Sequence, residues 1–313
     1  MNKITVIGSG SVGATLSYTI AASGIASDII MIDINSDKAL GEALDIRQGT
    51  PFGHPCNVYA GNYEDAVDSD IVVITSGVAR KPGQTRLELA QINVNILKSI
   101  ADNITKYAPN ATYVIVSNPV DVLTYVFCKY TGIPEERVIG SGTILDTARL
   151  RSRISEYYSI SQQNVHAYFL GEHGDSGFVP WSLANISNVH VEKYAEAIVS
   201  NKQYPEFKPN EVEEYVRKSG ARVINRKGAT FFAVSMSVCH LCKCLLSGIE
   251  TTLTVSTMLH GEYGIDDVCL SLVTTVGNKK AGNKLLVPLT DEEVAALKNS
   301  ADKLKSVINS ITF

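Results

Sequence analysis

A chain of 313 residues, 45% hydrophobic and 19% charged, has enough material for two packed lobes and excludes a disordered or fibrous polymer. Its net charge of −4 gives no electrostatic reason for a nucleic-acid or bilayer partner. The opening MNKITVIGSG passes from a single Lys into a strand pattern without the long apolar region of a signal peptide, so a cytoplasmic protein is expected.

Short β-branched runs at residues 3–8, 28–33, 57–60, 70–75, 112–117 and 138–140 predict strands, several of them apolar throughout, as parallel strands buried on both faces are. Helical patterns fall between them, for example at 12–23 and 87–107. This alternation predicts a doubly wound parallel sheet with helices on both faces. Beyond about residue 145 the pattern is mixed: a helix at 146–158, a strand at 165–170 and a long helix at 231–246. The apolar window 231–249 is broken by His240 and Lys243 and reads as a buried core helix, not a membrane span. Runs at 254–259, 268–276 and 284–289, separated by Gly-containing turns, predict an antiparallel meander in an α+β substrate lobe. Thr290 and Glu293 form a capping-box pair ahead of a closing helix with Val294, Leu297, Ala301, Leu304 and Ile308 on one stripe.

Six cysteines without framework spacing read as small buried hydrophobes. The run CHLCKC (239–244) has no second Cys/His pair to complete a four-ligand site, so no metal is expected.

Gly8, Gly10 and Gly13 spell G-x-G-x-x-G between the first strand and the first helix, where backbone N–H groups and a helix N-terminus can meet a pyrophosphate. Asp33 ends the second strand about twenty residues later, placed to accept from a ribose hydroxyl and to repel a 2′-phosphate, so NAD is favoured over NADP. His173, between two glycines in LGEHGDSG, can face a cleft, and carbonyl reduction needs a proton donor titrating near neutrality. Asp146 and Arg149 share a helix face, whereas Arg151 points to roughly the opposite side.

GSGSVG, SNPVD (117–121), LDTARLR (145–151), GEHGDS (171–176) and PWS (180–182), in this order over essentially the whole chain, resemble the L-lactate/L-malate dehydrogenase family, nearest to its bacterial lactate branch. The resemblance implies a Rossmann-type NAD-binding domain over residues 1–144 and an α+β catalytic domain over 145–313. It implies His173 as acid/base, Asp146 as its partner, Arg149 as the grip on the substrate carboxylate and Asn118 as a contact near substrate and nicotinamide. Arg86, in the loop GVARKPGQTR (77–86), would polarise the substrate carbonyl on loop closure. The cofactor would also contact Val12, Lys38, Tyr63, Gly77, Val78 and Ser117.

Arg80 matches the position that reads the substrate's third carbon, where lactate enzymes usually carry Gln and malate enzymes Arg. A charge-assisted hydrogen bond there would contribute roughly 1.5–3 kcal/mol, about ten- to a hundredfold in selectivity, for oxaloacetate over pyruvate. Against it, Thr230 in KGATFF, the GEHGDS and PWS segments and the run TRLELA look lactate-like. The expected reaction is therefore pyruvate and NADH to L-lactate and NAD, with oxaloacetate/malate as the alternative because of Arg80. Arg151 and His166 match the pair that binds fructose 1,6-bisphosphate at a subunit interface in allosteric bacterial lactate dehydrogenases, which would make the protein a homo-oligomer, a tetramer by family precedent. A catalytically silent NAD(H) sensor would share the glycine loop and Asp33 but has no need of His173, Asp146, Arg149 and Arg86 together.

Overall fold

The computed structural model describes residues 2–79, 83, 85–199 and 204–313, except the side chain of Arg86. The first half alternates β1 (Lys3–Ile7), α1 (Ser11–Ser23), β2 (Asp28–Ile32), α2 (Ser36–Gly49), β3 (Asn57–Ala60), β4 (Ile71–Ile74), α3 (Arg86–Tyr107), β5 (Thr112–Ile115), α4 (Val120–Thr131) and β6 (Val138–Gly140). The second half holds α5 (Ile144–Tyr158), β7 (Val165–His166), β8 (Asn185–Ile186), β9 (Val189–His190), α6 (Tyr194–Ala197), α7 (Pro209–Lys227), α8 (Phe232–Leu245), β10 (Thr251–His260), β11 (Asp266–Gly277), β12 (Lys280–Lys284) and α9 (Asp291–Ile308).

Residue alternation along the parallel strands explains the layering. On β4, Val72 and Ile74 face a core that includes Ala90, Val94 and Leu97 of α3. Ile71 and Val73 face the opposite core, with Leu16 and Ile20 of α1. Each such side chain contributes roughly 1.5–3 kcal/mol by leaving water, which is why a strand apolar on both faces is stable only between two helical layers. A third core, with Leu150 and Ile154 of α5 against Val212 and Val216 of α7, lies in the second half.

Nine strands form one sheet in the order β12-β11-β10-β6-β5-β4-β1-β2-β3. The chain runs from β1 outward to β3, then returns to the other side of β1 for β4, β5 and β6, so the order reverses between β1 and β4. A ligand crevice opens at the carboxyl ends of strands at such a reversal. The antiparallel part joins through a single register pair, Ser256 with Gly140. A Cβ on Gly140 would lie 2.9 Å from the Ser256 Cβ, so only glycine fits this seam.

Three expectations need correction. The third meander strand is Lys280–Lys284, not 284–289. Past Lys284 the backbone closes local turns, with Val287 N–H donating to Leu285 O and Leu289 N–H to Val287 O, and Pro288 has no N–H to offer a ladder. The strand expected at 165–170 pairs only at Val165–His166, followed by an isolated bridge between Leu170 and Phe178. Finally, α8 buries one face only: Val238, Leu241, Cys242 and Leu245 are packed, whereas Phe232 and Met236 are exposed. The capping box of α9 forms as expected, and Leu297, Ala301, Leu304 and Ile308 are buried along its stripe. Among the described residues no helix is long and apolar enough to cross a membrane.

Candidate active site

The glycine loop is shaped by what cannot fit in it. Gly8 has φ +102° and its N–H donates to Ile32 O at 2.7 Å. A Cβ on Gly13 would lie 1.8 Å from Gly8 O, whereas one on Gly10 would meet nothing within 4 Å. Gly13 thus lets α1 start against the loop, and Gly10 leaves its face open to a ligand. Asp33 closes the other wall: its Oδ2 accepts from Ser9 N–H (2.6 Å) and its Oδ1 from Asn35 N–H (2.8 Å). Further lone pairs on both oxygens remain for ribose hydroxyls. Gly8, Gly10 and Asp33 line a cleft of about 760 Å³, together with Lys38, Tyr63, Gly77 and Val78. Its walls therefore fit a dinucleotide whose pyrophosphate meets backbone N–H groups and whose adenosine ribose meets a carboxylate. Replacing Gly13 with Ala is expected to weaken NADH binding about tenfold or more, about 1.4 kcal/mol, by fluorescence titration; parental affinity would contradict this packing.

Val12, Ser117 and Asn118 do not line that cleft but brace its rim. Val12 O accepts from the Ser235 hydroxyl at 3.1 Å, and the Ser117 hydroxyl donates to Ser76 O at 2.6 Å. Asn93, which sequence reading missed, is 2% exposed on α3. Its Oδ1 accepts from Val78 N–H (2.9 Å) and its Nδ2 donates to Asn118 O (2.7 Å). One buried amide thus ties the cleft wall to the SNPVD segment; a lone Asn inside a helix pattern gave no signal for it.

The candidate catalytic residues Asp146, Arg149 and His173 gather in one place. Asp146, 5% exposed on the first turn of α5, accepts from Arg149 Nη1 at 3.0 Å and faces His173 Nδ1 at 2.5 Å. The His173 segment is pinned on both sides: Gly171 and Ser271 of β11 exchange N–H···O bonds of 2.9 and 3.0 Å, and Glu172 N–H donates to Ser300 Oγ at 2.7 Å. The neighbouring Asp146 carboxylate pushes the His173 imidazole up to about 9, against burial, which pulls it down. Burial raises Asp146, but His173 and Arg149 outweigh it and hold its carboxyl below the ordinary range. At neutral pH the pair is imidazolium and carboxylate, so the imidazole carries a proton it could give.

Arg149 extends from α5 to α7, where its Nη2 comes within ordinary contact distance, 3.8 Å, of the place a Cβ on Gly220 would take. Thr230 is partly buried in the short connection from α7 to α8. Arg151 faces different surroundings, with Nε donating to Ala167 O at 3.1 Å and its guanidinium 5.6 Å from the Tyr168 ring centre. It lines a cavity of about 280 Å³ with Gln162, Gln163, Tyr168 and His240, while His166 is exposed nearby on β7. Arg80 lies outside the described residues, as does the Arg86 side chain; the Arg86 backbone opens α3 after a capping box between Thr85 and Glu88. Cys239, Cys242 and Cys244 are buried on α8, and all six cysteines are free. Among the described residues no cluster of three or more His, Cys, Asp or Glu could hold a metal.

A nicotinamide nucleotide exchanges a hydride, and its partner reaction needs a proton carrier; a dinucleotide cleft and a protonated imidazole on one chain point to an NAD-dependent dehydrogenase. Comparison narrows the class. The lactate/malate dehydrogenase NAD-binding domain matches residues 2–140, and the lactate/malate dehydrogenase α/β C-terminal domain matches residues 143–312. The chain belongs to the lactate/malate dehydrogenase family. It is 44% identical over 313 residues to an L-lactate dehydrogenase of Thermoanaerobacterium saccharolyticum, covering 99% of both chains. An L-lactate dehydrogenase of Clostridium botulinum is 46% identical over 311 residues, covering 98% of this chain and 96% of the relative. The crystal structure of a minor L-lactate dehydrogenase from Enterococcus mundtii, in a ligand-bound form, superposes with a TM-score of 0.94 at 33% identity, covering 100% of this chain and 99% of that one.

Proposed function

We propose that this enzyme reduces pyruvate to L-lactate with NADH, and that the observation carrying the reading is the joined set Asp146, Arg149 and His173 in a chain whose full-length relatives are L-lactate dehydrogenases. Gly8 and Gly10, with Gly13 letting α1 start against their loop, would hold the cofactor's pyrophosphate and Asp33 its adenosine ribose, with Lys38, Tyr63, Gly77 and Val78 on the surrounding walls. When bound, NADH supplies the hydride for the keto carbon. Arg149, with Nη1 fixed by Asp146, offers its remaining N–H groups to the substrate carboxylate. His173 gives its proton to the carbonyl oxygen, and Asp146 stabilises the charge it carries before that transfer. Arg86 polarises the carbonyl, Asn118 contacts the substrate near the nicotinamide, and Thr230 and Arg80 act on the substrate's third carbon.

The division of labour falls near residue 144, with nucleotide binding before it and substrate chemistry after it. The enzyme works in the cytoplasm as a homotetramer that responds to fructose 1,6-bisphosphate. The half-buried Arg151 beside Tyr168, with the exposed His166 two residues before that ring, supports an anion site there.

Arg80 favours the second reading, oxaloacetate to malate. The deciding experiment compares kcat/KM for NADH oxidation with pyruvate and with oxaloacetate, each with and without fructose 1,6-bisphosphate. Pyruvate is expected to win by tenfold or more, with its KM lowered by the bisphosphate; a tenfold preference for oxaloacetate would make Arg80 decisive and overturn the lactate reading.

A further inference from the structure

One buried carboxylate has no part in the chemistry above. Asp121, on the first turn of α4, is 2% exposed, and its Oδ2 accepts from the backbone N–H of His173 at 2.8 Å. It stands three residues past Asn118, so the segment that Asn93 ties to the nucleotide cleft also ends on the catalytic imidazole's own backbone. Among the described residues its Oδ1 and the nearby Ser256 Oγ of β10 are both buried without a partner at hydrogen-bonding geometry, although the hydroxyl is close enough to favour the charged carboxylate. A carboxylate kept in such a place, where an apolar residue would avoid the desolvation cost, points to a use for its charge.

We propose that Asp121 is a positioning residue for the proton donor: it anchors the His173 backbone to α4 and sets a second negative charge beside the imidazole. The inference rests on His173 being the acid. The groups facing this centre are Glu172 and His173 from the 171–176 segment, Ser256 from β10, Cys269 from β11, and Asp146 with Arg149 from α5. Burial raises Asp121 to about 6, so it is ionised at neutral pH. In that state its charge adds to that of Asp146 in raising His173, while Arg149 opposes both. Reduction needs protonated His173, so loss of the Asp121 charge brings the alkaline fall of the rate to lower pH.

The test is the pH profile of kcat/KM for pyruvate reduction in the full-length enzyme and in Asp121→Asn, which keeps an acceptor for His173 N–H and removes the charge. The ratio of kcat/KM at pH 9 to that at pH 7 is expected to drop roughly threefold or more relative to the parent, with NADH affinity unchanged by fluorescence. Asp121→Ala, run alongside in case the Asn variant does not fold, should move the profile the same way and also lower kcat at pH 7, because the anchor is lost. A purely structural role would lower turnover or stability without moving the profile, so superimposable profiles overturn the proposal. His173→Asn is the control for the underlying reading: retained turnover there would mean that His173 is not the acid, whereas an inactive His173 variant with an unmoved Asp121 profile fails this inference alone.

Discussion

Substituting Asn for His173 is expected to cut kcat for pyruvate reduction by roughly 10²–10⁴-fold while leaving NADH affinity nearly intact. Asn keeps the shape and can still hydrogen-bond to Asp146, but it carries no transferable proton. The imidazole of the parent, held up to about 9, is protonated at neutral pH, so reductive kcat/KM should be flat around pH 7 and fall as pH rises through that value. Oxidation of the hydroxy acid needs the neutral ring and should rise over the same interval. Stopped-flow single turnovers with pyruvate and NADH, run in the parent and the variant across pH 6–10, would measure this directly; an unchanged rate in the variant would remove His173 from the mechanism.

Arg149→Lys should cost roughly ten- to a hundredfold in kcat/KM, carried mainly by KM. The charge survives, but the fork does not. In the parent, Nη1 is committed to Asp146 at 3.0 Å, and the rest of the planar group remains for a carboxylate. An ammonium has one nitrogen for both tasks and would have to divide between Asp146 and the substrate. A KM for pyruvate equal to the parent's would show that the substrate carboxylate is held elsewhere.

The parallel half was legible because its strands are apolar on both faces and its glycines stand where backbone must meet backbone, as Gly13 does against Gly8 O. The pairing of Asp146 with Arg149 followed from helical spacing alone, and their contact with His173 needed the resemblance, since 27 residues separate His173 from Asp146. The rest depended on long-range neighbours that no local pattern encodes. Asn93 looked like any polar residue of a long amphipathic helix, yet it is a buried bracket between two loops. Asp121 stood inside a motif already noticed, but its partner is 52 residues away. At 284–289, apolarity suggested a strand, and Pro288 with the preceding turns broke the ladder. The helix α7, which supplies the wall beside Arg149, is polar over much of its surface and buries only a narrow stripe at Val212, Val216 and Ser219, which the sequence reading passed over.

The seam between Gly140 and Ser256 bears on how the two halves could ever live apart. Separating the halves would uncover one long border, the side of the ten-residue β10 that β11 does not cover, and a short one on the three-residue β6. Such borders recruit any extended chain they meet. Covalent continuity across the seam therefore does more than connect the two halves: it holds the open side of β10 against the parallel strands instead of against other chains.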